Sequence, residues 1–332
     1  MAILVTGVAG FIGSHVAHRL LARGDTVIGI DNLNDYYAVS LKRDRLATLD
    51  QAHPGAFRFL HCDFTDAGDL AAQLAGQPIE TIIHLGAQAG VRYSIENPAA
   101  YVHTNLVGHA NMLELARARA VRHMVYASSS SVYGGNTKLP FSVEDRVDHP
   151  LSLYAATKKA DELISEAYSH LFRLPQTGLR FFTVYGPWGR PDMAMWIFTK
   201  AILAGRPIQL FNQGKMRRDF TYIDDIVTGV IASHDHPPVD DGEIKAGGSL
   251  APHRVYNIGN HRSEELTKVV ELIEAACGRP AQIELAPIQA GDVAETFADI
   301  SAIQQELGFA PTTAIDVGVP NFVRWYMAYH AS

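Results

Sequence analysis

Apolar and polar positions follow two rhythms along residues 1–180. Short runs of contiguous apolar and β-branched residues predict buried strands at Ile3–Thr6, Thr26–Asp31, Phe57–Leu60, Thr81–Leu85, His123–Ser128 and Thr177–Phe182. Between them, amphipathic stretches predict helices at Phe11–Arg23, Ala67–Leu74, Pro98–Ala120 and Leu153–Phe172. Such alternation builds parallel βαβ units. Farther along the rhythm loosens. Helix-like Met193–Ala204 and Ile223–Ser233 bracket short strands, and further helices are expected near Leu266–Cys277 and Ile300–Leu307. The stretch Asp235–Pro252, rich in Pro, Gly and Asp, reads as surface loop. The expected fold class is α/β, a Rossmann-type doubly wound parallel sheet with a smaller C-terminal substrate-binding lobe. Residues 1–180 would form the dinucleotide half. Residues 181–332 would form the lobe, interleaved with the sheet, with the ligand cleft between them.

Composition narrows the class without changing it. The 332 residues are 47% hydrophobic and 19% charged, ordinary values for a soluble globular protein. A formal charge of −7 and the absence of a Lys/Arg-rich run argue against a nucleic-acid footprint. No apolar stretch approaches the ~20 residues that span a bilayer. The chain begins directly on a strand, leaving no room for a signal peptide. Cys62 and Cys277 lack metal-ligand spacing and read as reduced thiols, so a cytoplasmic location is expected.

Candidate chemistry starts at Gly7-Val8-Ala9-Gly10-Phe11-Ile12-Gly13, between the first strand and the first helix. Missing side chains there let backbone and a helix N-terminus approach a pyrophosphate, although a glycine-rich turn alone is weak evidence. Asp31 ends the second strand, where a carboxylate can accept from a ribose hydroxyl. Asn32-Leu33-Asn34 follows without a cation, which favours NAD over its 2′-phosphorylated relative. Asp63-Phe64 could fix the adenine or form an ordinary turn. Leu85-Gly86-Ala87 would let a cofactor pass close to backbone.

Tyr154 and Lys158 stand four residues apart on a predicted helix and so share a face. A phenol with a pKa of about 10 is a poor base at neutral pH. Bringing it near 7 costs about 4 kcal/mol, which a lysine cation and a positively charged nicotinamide can supply. The pair reads as a proton-transfer site for alcohol–ketone redox chemistry. Ser128-Ser129-Ser130-Ser131 ends a strand beside the expected cleft, offering either a hydroxyl to the site or plain turn-forming residues. The histidines lack paired metal spacing, and there is no GxSxG elbow.

Taken together, TGVAGFIGSH, Asp31, SSSSVYG, YAATK and RDFTYIDD resemble the extended short-chain dehydrogenase/reductase family in order and spacing over essentially the whole chain. Asp31-Asn32-Leu33-Asn34-Asp35-Tyr36-Tyr37, Gly86–Tyr93 and Leu179–Ala194 are similar to UDP-glucuronate 4-epimerases. The resemblance implies NAD as a tightly held cofactor and a UDP-sugar, glucuronic or galacturonic, as substrate. It implies cofactor contacts from Gly7, Gly10, Phe11, Ile12, Gly13, Asp31, Asn32, Asn34, Asp63, Phe64, Leu85, Gly86, Ala87, Gln88 and Asn105. Ser129, Ser131, Tyr154 and Lys158 would form the catalytic set. Substrate contacts would come from Arg92, Ser129, Thr183, Arg190, Arg217, Arg218, Gln289 and Asp292. Gln289 departs from related galactose enzymes, which carry a phosphate-gripping arginine there, and Arg92 or Arg217 could compensate. Related enzymes pair two helices into a homodimer, here Pro98–Ala120 and Leu153–Phe172, whose apolar residues such as Leu113, Leu163 and Tyr168 would face a partner. Packing within the monomer is an equally ordinary fate for such a stripe.

The implied 4-keto intermediate carries its carbonyl β to the C6 carboxylate, an arrangement prone to losing carbon dioxide. A bidentate arginine fixes both the position and the plane of a carboxylate. Arg190, in Gly-Pro-Trp-Gly-Arg-Pro-Asp-Met, is the candidate, against the alternative of a surface arginine. Thr183 offers a second hydrogen bond. A UDP-glucuronate decarboxylase and a UDP-glucose/galactose 4-epimerase are alternatives on the same scaffold, and a non-catalytic NAD-sensing protein is one from another class.

Overall fold

The structure, a computed structural model, describes residues 2–289 and 291–331. Its strands begin with β1 (Ala2–Thr6), β2 (Val27–Asp31), β3 (Phe57–His61), β4 (Ile79–His84), β5 (His123–Ser129) and β6 (Gln176–Phe181). Then come β7 (Thr183–Tyr185), β8 (Pro207–Leu210), β9 (Arg217–Arg218), β10 (Phe220–Tyr222) and β11 (His253–Ile258). Seven of these form one parallel sheet in the order β11-β6-β5-β4-β1-β2-β3. The order reverses between β1 and β4, and the crevice at such a switch point, beyond the carboxyl ends of the strands, is where open α/β sheets bind ligands.

Contiguous apolar strands follow from helices covering both sheet faces. Ile3 and Val5 join one apolar cluster while Ala2 and Leu4 join another, as strand alternation requires. Leu4 is fully buried, and each such side chain stabilises the fold by about 1.5–3 kcal/mol. The helices of the first half are α1 (Phe11–Ala22), α2 (Val39–Ala52), α3 (Ala67–Gln73), α4 (Tyr93–Glu96), α5 (Pro98–Tyr101), α6 (Gly108–Ala118) and α7 (Leu153–Phe172). Beyond them lie α8 (Ala194–Leu203), α9 (Ile223–Asp235), α10 (Leu266–Cys277), α11 (Ser301–Leu307) and α12 (Ile315–Ala331). β11 completes the main sheet beside β6, and α9 packs on α1, so the second half of the chain contributes to the first layer.

Several elements differ from their sequence reading. The helix expected over 98–120 is three pieces, with a π segment at 102–107 between α5 and α6. Helix α2 escapes a hydrophobic pattern because its buried face is Leu41, Lys42, Arg45 and Leu49, half of it cationic. Leu113 does not belong to an exposed stripe: it is fully buried in the core against the sheet. Among the described residues no helix is long and apolar enough to cross a membrane.

Candidate active site

The glycine corner is closed to side chains. A Cβ on Gly7 would lie 2.8 Å from Gly86 Cα, and one on Gly13 would lie 2.2 Å from the Gly7 carbonyl oxygen. Gly7 also adopts φ +66°, a left-handed turn that glycine alone takes without strain. Gly10 caps α1 without any side-chain bond, so the first amides of α1, at Phe11 and Ile12, face outward uncapped. That cradle fits a pyrophosphate. Leu85-Gly86-Ala87 forms its far side, with Thr6 Oγ1 accepting from the Gly86 amide at 2.9 Å. Asp31 stands beside it at the end of β2, its carboxylate accepting from the amides of Ala9 (3.2 Å) and Leu33 (2.8 Å). Burial pushes its pKa up, while Lys42 and those amides pull it down.

Lys42 amends one inference from sequence. No cation follows Asp31 in the chain, but helix α2 brings Lys42 to it through space, where Nζ donates to the carbonyl (2.7 Å) and side chain (2.8 Å) of Asn34. Lys42 is buried and committed to this loop. Asp63 accepts from Asn32 Nδ2 (2.9 Å) and from the amide (2.9 Å) and hydroxyl (2.7 Å) of Thr65. Burial opposes its charge, but these bonds outweigh it and hold the carboxyl below its ordinary value. Phe64 is buried against Gly86 and Gly108, where an added Cβ would meet its ring at 2.6 and 2.3 Å.

Helix α7 starts cleanly because Ser152 accepts from the Ala155 amide at 3.1 Å. Its first turns carry Tyr154, half-buried, and Lys158, buried. The Tyr154 ring meets Tyr101 edge-on with centroids 6.0 Å apart. Lys158 Nζ donates to the Ala127 carbonyl and to Asp161 Oδ2, each at 3.0 Å. Burial raises the Asp161 pKa to about 6, with Lys158 opposing. Beneath them burial, aided by the Lys158 charge, keeps His84 neutral, its pKa lowered to about 3.

The four serines divide. Ser128 points inward and donates to Glu162 Oε1 at 2.7 Å, within a buried Glu162–Arg180 ion pair. Ser129 caps the turn after β5: its hydroxyl accepts from the Ser131 amide and donates to Ser131 Oγ, both at 3.1 Å. The turn-forming reading holds for Ser129, and Ser128 serves the buried ion pair.

Thr183 and Arg190 line one cavity with Tyr185 and Phe220. Thr183 opens β7, its amide donating to the Asp219 carbonyl at 3.1 Å. The Arg190 guanidinium is paired side-on with Asp192, Nε to Oδ1 at 3.0 Å and Nη2 to Oδ2 at 2.5 Å. Burial works against its charge, but Asp192 outweighs burial and holds the pKa above the usual arginine value. Tyr36 and Tyr154 lie close enough to act in the same direction. The fold thus places Arg190 in the same region as Tyr154.

At the remaining corner Arg92 lies 3.3 Å from Asp292 and stacks over Phe211 at 4.8 Å. Arg218 donates to the carbonyls of Arg217 (2.8 Å) and Ala294 (3.1 Å); burial lowers its pKa, with Asp292 opposing. Arg217 is already held by Glu265 (2.7 Å), Glu295 (3.2 Å) and the Ser263 carbonyl (2.7 Å). Of the two arginines considered as substitutes, Arg92 faces this corner and Arg217 is spoken for. Gln289 Oε1 is enclosed without a hydrogen-bond partner among the described residues. Asn105 and Gln88 bond each other, Oδ1 accepting from the Gln88 amide at 2.8 Å and Nδ2 donating to its carbonyl at 3.1 Å. Sequence reasoning missed Lys42, Arg45 and Tyr101, none of which lies in a local pattern that announces a site, and it passed over Asp192 although Asp192 stands in the same loop motif as Arg190.

Known proteins are similar to this chain in sequence and fold. A probable UDP-glucuronate 4-epimerase of Rhizobium meliloti (strain 1021) is 50% identical over 334 residues, covering 98% of this chain and 97% of its own length. UDP-glucuronate 4-epimerase 3 of Arabidopsis thaliana is 48% identical over 333 residues, covering 99% of this chain and 77% of its own. The crystal structure of UDP-glucuronic acid 4-epimerase from Bacillus cereus in complex with UDP-glucuronic acid and NAD matches with a TM-score of 0.87 at 32% identity, covering 99% of this chain and 100% of that one. Residues 3–259 match the NAD dependent epimerase/dehydratase family, to which this chain belongs.

Proposed function

We propose that this protein interconverts UDP-glucuronic acid and UDP-galacturonic acid at C4 of the sugar, with NAD as resident cofactor. One observation supports the reading: Arg190, which shares a cavity with Thr183, lies near enough to Tyr154 for their charges to interact, an anion receptor in the same region as a proton acceptor. Relatives at about half identity that are named for this reaction support it.

The glycine corner and the α1 N-terminus would hold the pyrophosphate, and Asp31 a ribose. NAD held there would supply a hydride acceptor for C4 that can also act as donor to the other face of the sugar. Tyr154 Oη removes the 4-hydroxyl proton and later gives it back, and the Lys158 ammonium one turn on favours the phenolate. Ser129 and Ser131 orient the sugar hydroxyl. Arg190 and Thr183 take the C6 carboxylate and keep its bond to C5 out of the perpendicular to the carbonyl plane. Arg92 and Arg218 face the diphosphate. Residues 181–332 supply most substrate contacts, and residues 1–180 the cofactor site.

Homodimer formation and a cytoplasmic location belong to the same reading. Val102, Val107, Leu163, Leu171 and Phe172 are exposed apolar residues on 102–107 and the neighbouring α7. Pairing these faces in a second copy would cover them.

Incubating the purified protein with UDP-glucuronic acid and identifying the product by NMR tests the function. UDP-galacturonic acid is expected. Carbon dioxide with a UDP-pentose as the main product marks a decarboxylase, and inertness to uronic acids with turnover of UDP-glucose marks a hexose epimerase.

A further inference from the structure

Two consecutive tyrosines after β2 reach the Arg190 loop. Tyr37 Oη accepts from Arg45 Nη1 at 2.7 Å, and Arg45 Nη2 donates to the carbonyls of Trp188 (2.6 Å) and Gly189 (3.3 Å). That chain pins the backbone just before Arg190. Tyr36 Oη donates to Asp192 Oδ2 at 3.2 Å, on the carboxylate that grips the Arg190 side chain. Asp192 takes two of the five N–H groups of the guanidinium, and the Tyr36 phenol lies close enough for the Arg190 charge to act on it. Tyr36 is itself fixed, its ring 4.9 Å from Tyr93 and its hydroxyl against Gly90, where an added Cβ would lie 2.8 Å away.

A carboxylate rotates easily about its terminal torsion. Bidentate pairing locks the guanidinium plane to the Asp192 plane, and the phenol locks that plane to the tyrosine wall. The N–H groups left over then present a fixed fork to a second carboxylate. We propose that Tyr36 and Asp192 are positioning residues that set the plane of Arg190 and thereby suppress decarboxylation of the 4-keto sugar. This rests on the function proposed above. In the suppressed reaction the C5–C6 bond breaks and its electron pair enters the C4 carbonyl as an enolate. Carbon dioxide leaves, and C5 takes a proton from water, giving a UDP-4-ketopentose.

Asp192 also carries a charge that repels the substrate carboxylate. A merely structural role would raise KM when Asp192 is neutralised, whereas a positioning role would not. The test measures carbon dioxide released per UDP-galacturonic acid formed in wild type, Tyr36→Phe and Asp192→Asn. Both substitutions are nearly isosteric. The ratio should rise roughly tenfold in each variant, about 1.4 kcal/mol of lost discrimination, with KM for UDP-glucuronic acid no higher in Asp192→Asn. An unchanged ratio in both variants, or the absence of both products from them, overturns the proposal. A wild-type protein that makes no UDP-galacturonic acid overturns the parent reading instead.

Discussion

Asn105 donates from Nδ2 to Thr157 Oγ1 across 3.0 Å, joining the π segment 102–107 to the helix that carries Tyr154 and Lys158. The same amide pairs with both backbone groups of Gln88, in the loop that follows β4. One buried side chain therefore ties three elements together at the edge of the cofactor site. A π turn widens the helix at the position that carries this residue, and such turns recur at functional sites.

Asn105→Ala leaves the Gln88 amide and carbonyl without these partners. Stability should fall by on the order of 3 kcal/mol, read from urea unfolding, and bound dinucleotide should be lost in parallel. A variant with wild-type midpoint and full cofactor content contradicts this.

Gly13→Ala places a methyl group 2.2 Å from the Gly7 carbonyl oxygen, and backbone must move to admit it. Overpacking of this kind costs about 1–3 kcal/mol. The protein should purify with little bound nucleotide, measured as absorbance at 260 nm released on denaturation.

Tyr154→Phe removes the hydroxyl but keeps the ring against Tyr101. Turnover of UDP-glucuronic acid should drop by about 100- to 10,000-fold, the range for a lost general acid–base, while dinucleotide stays bound. Interconversion at wild-type speed would remove Tyr154 from the mechanism.

Arg190→Ala strips the cavity of its cation and leaves Asp192 unpaired beside the incoming carboxylate. Epimerisation should fall by on the order of 100-fold, since about 2.7 kcal/mol of charge-assisted bonding is lost. Carbon dioxide should appear among the products. Unchanged turnover, followed by NMR, argues against the assignment.

Stability should fall as the solution turns acid. Burial lowers the pKa of His84 and His123 to about 3 and of His15 to about 4, and takes His109 well below its ordinary value. In the unfolded chain each titrates near about 6.5. Their contribution is complete above that pH and is lost as pH falls toward the folded values, because only the unfolded state takes up the protons. Asp161 and Asp219, both raised by burial to about 6, act oppositely, binding protons first in the folded state. Four histidines against two carboxylates leave unfolding with a net uptake near pH 5, on the order of 2 kcal/mol per pH unit. The urea midpoint should drop between pH 7 and pH 5, and a rising midpoint contradicts the balance.

Much of this was legible before folding. Where a strand is covered on both faces apolar residues tend to dominate it, and the apolar runs 3–5 in β1, 27–30 in β2 and 124–127 in β5 show in the sequence. The glycine spacing, Asp31 and the Tyr154–Lys158 interval are local, so a few residues carry their own geometry. Helix α2 was hidden because Lys42 and Arg45 face inward, a burial that hydrophobic periodicity reads as exposure. Strand β11 was hidden because polar residues such as Arg254 and Asn257 alternate through it, satisfied only by distant partners: Arg254 by Thr177 at 3.2 Å, Asn257 by the Phe141 carbonyl at 2.7 Å.

By itself the sequence determined the layered α/β class, the glycine corner after β1 and the Tyr154–Lys158 interval, because short-range spacing sets each of them. Only the tertiary structure decided what surrounds Arg190. Asp192 is two residues away, but Tyr36 arrives from the far side of the sheet order, and Arg45 holds the loop from a helix more than a hundred residues upstream. Which acceptors fill a guanidinium depends on distances between loops, and those are set by how the sheet and its helices pack.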